Sequence, residues 1–325
     1  MLAYIIRRVL YAIPILIGVN LITFVLFFVV NSPDDMARVH LGVKHVTEAA
    51  IDKWKVERGY DKPLLFNAAA AGMGKATDTI FFDKSVALFG FKFGRADDGR
   101  DIGLDISQRM WPSLAIALPT LLVGILVYLT FALLMAFFRA TYIDVWGVVL
   151  CVILMSISGL FYIIGGQYLI SKLWHIVPIS GYDTGIEAVK FIMLPVVIGV
   201  IGGVGAGSRL YRTFFLEEIG RDYVRTARAK GLSEVRVLFR HVLKNAMIPI
   251  LTGVVVVLPS LFMGSLILES FFGIPGLGSY TIDAIQSQDF AIVRAMVFLG
   301  SVLYIVGLIL TDISYTLVDP RVRLA

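Results

Sequence analysis

Apolar residues fall along this chain in long unbroken blocks, not at the alternating spacing of strands or the three-to-four spacing of soluble helices. Charge-free runs occupy residues 9–33, 110–138, 145–171, 191–208, 245–268 and 295–311. A helix rising about 1.5 Å per residue needs about 20 residues to cross a hydrocarbon core of about 30 Å. The first five runs meet that length. The sixth is extended by Phe290, Ala291, Ile292 and Val293 on the far side of Arg294, a side chain long enough to snorkel toward an interface. The pattern predicts six transmembrane helices in an all-α integral membrane protein. Arg7 and Arg8 precede the first run as they would in a signal peptide, but the run is longer than a signal's apolar core and no small-x-small cleavage site follows. It reads as an uncleaved anchor.

Composition agrees with lipid as the solvent. Hydrophobic residues make up 58%, charged residues 16%, and the mean hydropathy is +0.84. The net charge of +5 matters through its placement. Arg7, Arg8, Arg139, Arg321 and Arg323 fall on one side of a six-span layout, together with nine basic and four acidic residues in segment 209–244. On the other side, segment 269–290 carries Glu269, Asp283 and Asp289 and no lysine or arginine. The positive-inside rule then puts both termini in the cytoplasm of a multi-pass protein.

The chain divides into an N-terminal span (1–33), an external region (34–109) and a core (110–325) holding the remaining spans and the internal loop 209–244. In the external region Thr47 to Arg58 reads as a helix stopped by Gly59, and glycines 90, 94, 99 and 103 predict irregular structure. This region is a lid over the helix ends or a docking surface for an external partner. In the internal loop a short helix closes at Gly231 in the manner of a left-handed stop. Ser233 is placed to cap a second helix, and Arg236, Arg240 and Lys244 recur every fourth position as one stripe. By composition alone that stripe suits an interface with anionic lipid.

Other chemistry is sparse. The single cysteine, Cys151, lies inside an apolar run, which excludes an intramolecular disulfide. Gly72 to Thr77 resembles a fragment of a phosphate loop, but Ala69 and Ala76 stand where that loop needs glycine and a hydroxyl. His40, His45, His175 and His241 lie in loops without metal-ligand spacing, and no Ser/His/Asp or HExxH arrangement occurs. Intramembrane carboxylates of the kind that carry protons are scarce. Gly199, Gly203 and Gly207 share one face of a helix and predict close helix packing. Asn20, Thr23, Ser156, Ser158, Gln167, Ser260 and Ser265 either line a path or join helices by hydrogen bonds. Nothing points to an enzyme or to nucleic acid.

The segments Tyr223-Val-Arg-Thr-Ala-Arg-Ala-Lys-Gly-Leu-Ser-Glu234 and Arg240-His-Val-Leu-Lys-Asn-Ala-Met-Ile-Pro249 closely resemble the dipeptide/oligopeptide/nickel family of ABC-importer permeases, B-type subunit. Ile5-Ile-Arg-Arg-Val-Leu10, Gly59-Tyr-Asp-Lys-Pro-Leu64, Glu269-Ser-Phe-Phe-Gly-Ile-Pro-Gly-Leu-Gly278 and Asp319-Pro-Arg321 extend the likeness over nearly the whole chain. The resemblance implies a type I ABC importer (MetI-like) permease fold in an inner membrane. It also implies transport of peptides, or of nickel chelates or oligosaccharides, driven elsewhere. The partners it implies are a second homologous permease, one or two cytosolic ABC ATPases that hold ATP and Mg, an external solute-binding protein and membrane lipid. No cofactor or metal is implied for this chain.

That family carries an internal EAAxxxG motif. Here Arg225 replaces the Glu, Thr226 the first Ala, Ala227 is the second Ala and Gly231 the Gly, while Lys244 stands where the general pattern has proline. By resemblance, Tyr223, Arg225, Thr226, Ala227, Arg228, Ala229, Lys230, Gly231, Leu232 and Ser233 form the ATPase-coupling corner. In that corner Ala227 and Ala229 are expected to permit close docking, and Arg225, Arg228 and Lys230 to meet acidic groups on the partner. Residues 65–92 look longer than the family's usual link.

Overall fold

Every extended run of backbone pairing in the computed structural model is helical. Among the described residues, 2–42 and 46–318, the only β pairing is one isolated bridge between Arg95 and Asp101. His45 and the 319–323 positions used in the sequence reading lie outside the described residues.

In chain order the helices are α1 (Leu2–Phe24), α2 (Pro33–Leu41), α3 (Glu48–Arg58), α4 (Gly74–Thr77), α5 (Ile80–Lys84), α6 (Ile102–Phe137), α7 (Tyr142–Ser156) and α8 (Gly159–Gly166). They continue as α9 (Ala188–Ile219), α10 (Asp222–Ala229), α11 (Glu234–Val237), α12 (Leu243–Val257), α13 (Leu266–Phe272), α14 (Leu277–Gln286) and α15 (Phe290–Val318). Five segments are long and apolar enough to cross a membrane: Ile6–Val30, Ile102–Phe137, Gly185–Ile219, Glu234–Met263 and Phe290–Ser314. A sixth span exists if α7 and the segment Gly159–Leu173 are taken together.

That sixth span departs from the straight helix expected over 145–171. Its two halves meet at 86°. Ile157 and Ser158 both adopt extended backbone, which interrupts the ladder of backbone hydrogen bonds there. Charge-free runs also misplace helix ends. The helix expected from residue 110 begins at Ile102, and the one expected to end at 208 continues to Ile219. Charged side chains do not stop a helix whose backbone bonds are intact.

The chain forms two compact units, residues 1–108 with 281–306, and residues 109–280 with 307–325. In the first, α2 opens with a reciprocal capping box between Ser32 and Asp35, and α3 ends on Gly59 at φ +65°. Their apolar faces, through Met36, Ile51 and Trp54, close over Phe24, Phe28, Tyr60 and Ile80 in one buried cluster. The segment after the first span therefore packs on the end of that span in one shared core. Gly94 and Gly99, both at positive φ, shape the turn around the Arg95–Asp101 bridge.

In the second unit α9 is the axis. Its glycine face receives α6: a side chain at Gly199 would press on Thr120, and one at Gly203 or Gly207 would run into the ring of Tyr128. The Tyr128 hydroxyl donates to the carbonyl of Val200 at 3.1 Å. Gly205 faces α7, where a Cβ would lie 2.5 Å from the Cys151 carbonyl oxygen. Arg212 closes the same pair of helices with two hydrogen bonds to the Asp144 carboxylate, at 2.7 and 2.8 Å.

Candidate functional site

The segment 209–244 folds into a sharp corner between α9 and α12. Gly220 ends α9, Arg221 is extended, and α10 runs for eight residues before Lys230 leaves helical geometry. Gly231 then takes φ +76°. The Gly231 amide donates to the Arg228 carbonyl at 2.9 Å, and the Leu232 amide to the Ala227 carbonyl at 3.4 Å. This is the paired bonding of a Schellman motif, and Leu232 packs against the core, a contact that often accompanies that motif. A β-carbon at position 231 would be strained by the backbone alone.

Burial sorts the residues of the corner. Val224 and Ala227 point inward, buried with Phe215, Ile219, Val237, Leu238 and Val242. Tyr223, Arg225, Thr226, Ala229, Lys230, Gly231 and Ser233 are exposed. Ala227 therefore anchors the corner to its own unit, because Val224 and Ala227 are three apart on α10 and must share one side.

Arg228 is engaged within its own chain. Its guanidinium makes two bonds to the Glu234 carboxylate, at 2.8 and 3.1 Å, and so bridges the two sides of the Gly231 turn. Arg225 meets Asp222 at 3.3 Å in a fully exposed pair, while Lys230 has no ion-pair partner among the described residues. Tyr223 donates its hydroxyl to Glu218, and burial together with that carboxylate raises the phenol above its usual range. Ser233 occupies the N-cap position of α11 with extended backbone, but its hydroxyl makes no capping bond. Arg236, Arg240 and Lys244 are all exposed, yet a π-helical turn over Leu238–Val242 lies between the first and the last and breaks their regular spacing. A cavity of about 410 Å³ opens beside the corner, lined by Phe137, Arg139, Ile219, Arg228, Glu234 and Leu238 among others.

The opposite end of this unit holds a second constellation that composition did not reveal. Glu269 is buried, and its carboxylate accepts from the amides of Ser265 at 3.1 Å, Gly278 at 2.7 Å and Ser279 at 3.1 Å. Ser113 of α6 accepts from the Leu277 amide at 2.8 Å and hydrogen-bonds the same carboxylate. Gly264 and Gly276 leave the room that Glu269 fills, and at Gly278 a Cβ would lie 2.6 Å from the backbone of Ser265. Burial raises the Glu269 carboxyl above its ordinary value, against the opposing pull of these donors. The visible signal was the spacing of glycines 273, 276 and 278 after a lone acid.

The polar positions weighed as path-lining are mostly spent on backbone carbonyls. Asn20 donates to Ser85, Thr23 to Val19, Ser156 to Val152 and Ser260 to Val257. Gln167 donates to Ile179 and Phe271, each at 3.0 Å. The hydroxyl of Ser265 accepts from the Leu268 amide as a helix cap.

The profile of the binding-protein-dependent transport system inner membrane component matches residues 128–324, and the profile of its N-terminal companion matches residues 1–84. The chain belongs to this permease family. Its fold is accordingly the MetI-like, type I importer permease fold, and it is an ABC-transporter permease subunit. The permease is 30% identical over 329 residues to a putative peptide transport system permease protein of Brucella abortus, covering 99% of each chain. It is 29% identical to a probable peptide ABC transporter permease protein of Sinorhizobium fredii over 98% of this chain and 99% of the relative. It is 28% identical to the dipeptide transport system permease protein of Bacillus subtilis over 100% of this chain and 99% of the relative. The matched range 128–324 contains the whole corner around Gly231.

Proposed function

We propose that this chain is half of a peptide-import pathway, and that the α10–Gly231–α11 corner is where ATP hydrolysis in a separate subunit is transmitted to the membrane helices. Peptide cargo follows the names of the relatives, which agree over nearly the full length of the chain. Both termini and the corner lie on the cytosolic side of the inner membrane, in keeping with the excess of lysine and arginine in 209–244. Tyr223, Arg225, Thr226, Ala229, Lys230 and Ser233 supply the contact face. Ala227, Arg228, Gly231 and Leu232 keep its shape.

The observation that carries this reading is the bracing of the corner by packing and hydrogen bonds. Val224 and Ala227 tie α10 into the core, the Schellman bonds fix the turn, and the Arg228–Glu234 bridge joins its two arms. A peg built this way moves with α12 and does not fold away under load. A push on α10 then becomes a tilt of a membrane helix, which is the kind of rigid-body step that alternating access requires.

A second homologous permease completes the pathway, one or two cytosolic ATPases hold ATP and Mg, and an external solute-binding protein delivers peptide to the outer face. No bond is made or broken by this chain. The stand-alone channel is the weaker reading, because the family is defined by dependence on a binding protein.

The test is Gly231→Pro in the complete transporter, reconstituted in liposomes with ATP inside the cytosolic face and labelled dipeptide outside. Proline at this position cannot take positive φ. Membrane insertion and chain yield stay normal, and ATP-driven uptake is lost. Wild-type uptake in that variant would remove the corner from the mechanism.

A further inference from the structure

The first unit contains a cavity of about 450 Å³, bordered by the end of α3, the turn at Tyr60, Lys84, segment 92–99 and the first turns of α15. Its charges are unevenly matched. Each acid on its wall already faces a base. Asp83 meets Lys62 at 2.7 Å, Asp97 meets Arg58 at 2.8 Å and His40 at 3.5 Å, and Glu57 meets Lys53 at 4.0 Å. Of the cations on the wall, only Arg58 is answered in this way. Lys84, Lys92, Arg95 and Arg294 have no carboxylate within 4.0 Å among the described residues.

Of these four, Arg294 is withdrawn from water and Lys84 is half-buried. Arg294 is 4% exposed, with its guanidinium 4.7 Å from the centre of the Phe28 ring. It donates only to the carbonyls of Phe290, at 3.3 Å, and Lys84, at 3.5 Å, which leaves donors of the fork unused. Lys84 stands with its ammonium 5.2 Å from the centre of the Tyr60 ring. Burial and the charge of Arg294 hold the Lys84 ammonium below the usual lysine range. Asp289 is the acid close enough to influence Arg294, but its oxygens accept from the amides of Asp97 at 2.7 Å, Ala291 at 3.1 Å and Ile292 at 3.2 Å. A buried guanidinium and a half-buried ammonium with no carboxylate in direct contact are costly, and an oxyanion seated between them relieves that cost.

We propose that this cavity binds the terminal carboxylate of a small peptide, with Lys84 and Arg294 as its direct partners. The volume falls within the range of small-ligand pockets and exceeds what a simple inorganic anion fills. Tyr60, Phe93 and Ala291 supply the apolar wall on which a peptide side chain rests. Lys92 and Arg95 are exposed at the rim and draw anions toward it. The choice of a peptide as the bearer of the carboxylate rests on the transport reading above, whereas the cation cluster does not.

The experiment uses the purified full-length chain in detergent without partner subunits, so that ATP-driven uptake plays no part in the readout. Alanyl-alanine and its C-terminal amide are titrated, and binding is followed by tryptophan fluorescence, since Trp54 packs on Tyr60. The free acid binds at least about tenfold more tightly than the amide, the scale of one hydrogen bond to a charged group. Lys84→Gln loses that preference without lowering the unfolding temperature, and Arg294→Lys weakens it. Equal affinity for acid and amide, no binding of either, an unchanged preference in Lys84→Gln, or displacement by equimolar inorganic phosphate would each overturn the assignment. A chain that prefers the acid here, yet fails to import dipeptide once its partners are supplied, would sink the transport reading and leave this site standing.

Discussion

Arg228 and Glu234 are joined by two hydrogen bonds, at 2.8 and 3.1 Å, across a turn whose apex is Gly231. The pair is six residues apart, so no single helix could bring it together; the positive φ of Gly231 does. Its two arms belong to α10 and α11, and locking them gives the corner one shape instead of many.

The bridge is partly solvated, with Glu234 60% exposed, so its contribution to global stability is small, about 0.5–1 kcal/mol. If the corner transmits ATP hydrolysis as proposed, its effect on transport is larger. Arg228→Ala or Glu234→Ala leaves the unfolding temperature nearly unchanged and lowers ATP-driven uptake several-fold, and the swapped pair Arg228→Glu with Glu234→Arg recovers part of the rate. Uptake that tracks the wild type in all three would show that the corner is stiff without the bridge.

Gly203 and Gly202 are neighbours in α9 with opposite tolerances. A Cβ at Gly203 runs into the Tyr128 hydroxyl, whereas one at Gly202 meets nothing within 4 Å. Gly203→Ala costs about 1–3 kcal/mol by overpacking, and Gly202→Ala is neutral. Adding Tyr128→Phe to Gly203→Ala recovers part of the loss. Thermal unfolding of the four proteins in one detergent measures all of this.

Removing the buried Glu269 carboxylate leaves the amides of Ser265, Gly278 and Ser279 without their acceptor. At about 1–3 kcal/mol for each unsatisfied group, Glu269→Ala loses about 3 kcal/mol or more. Glu269→Gln retains one acceptor oxygen and loses less. Yield of monodisperse protein and unfolding temperature rank wild type above Gln and Gln above Ala.

Lys84 has a pH signature of definite sign. Folding lowers its value below the ordinary 10.5, chiefly through burial and then through Arg294, with Asp83 opposing and Lys62 reinforcing. Between the lowered value and 10.5 the unfolded chain holds more protons than the native one, so stability rises with pH across that window. Tyr60, which burial pushes upward, acts in the opposite sense at higher pH. The difference between wild type and Lys84→Gln therefore isolates the lysine: its slope is positive below 10.5, and a flat difference would place the ammonium in water.

The chain's polarity pattern determined a great deal by itself. Charge-free stretches of about 20 residues can satisfy their backbones in lipid only as helices, so the all-α class and the approximate spans were legible. So was the stop at Gly231, because a left-handed residue after a short helix has few other uses. What the pattern could not carry was direction and partnership. The break of 86° after α7 depends on two residues of ordinary composition adopting extended backbone. Whether Ala227 faces a partner or its own core depends on which side of α10 meets Phe215 and Val242, and that is settled only when α9 and α12 are packed. The Arg228–Glu234 bridge, the amide cage of Glu269 and the unanswered cations near Tyr60 join residues separated by turns or by long stretches of chain. Local periodicity carries no information about such pairs, and only tertiary packing brings them within hydrogen-bonding or electrostatic range.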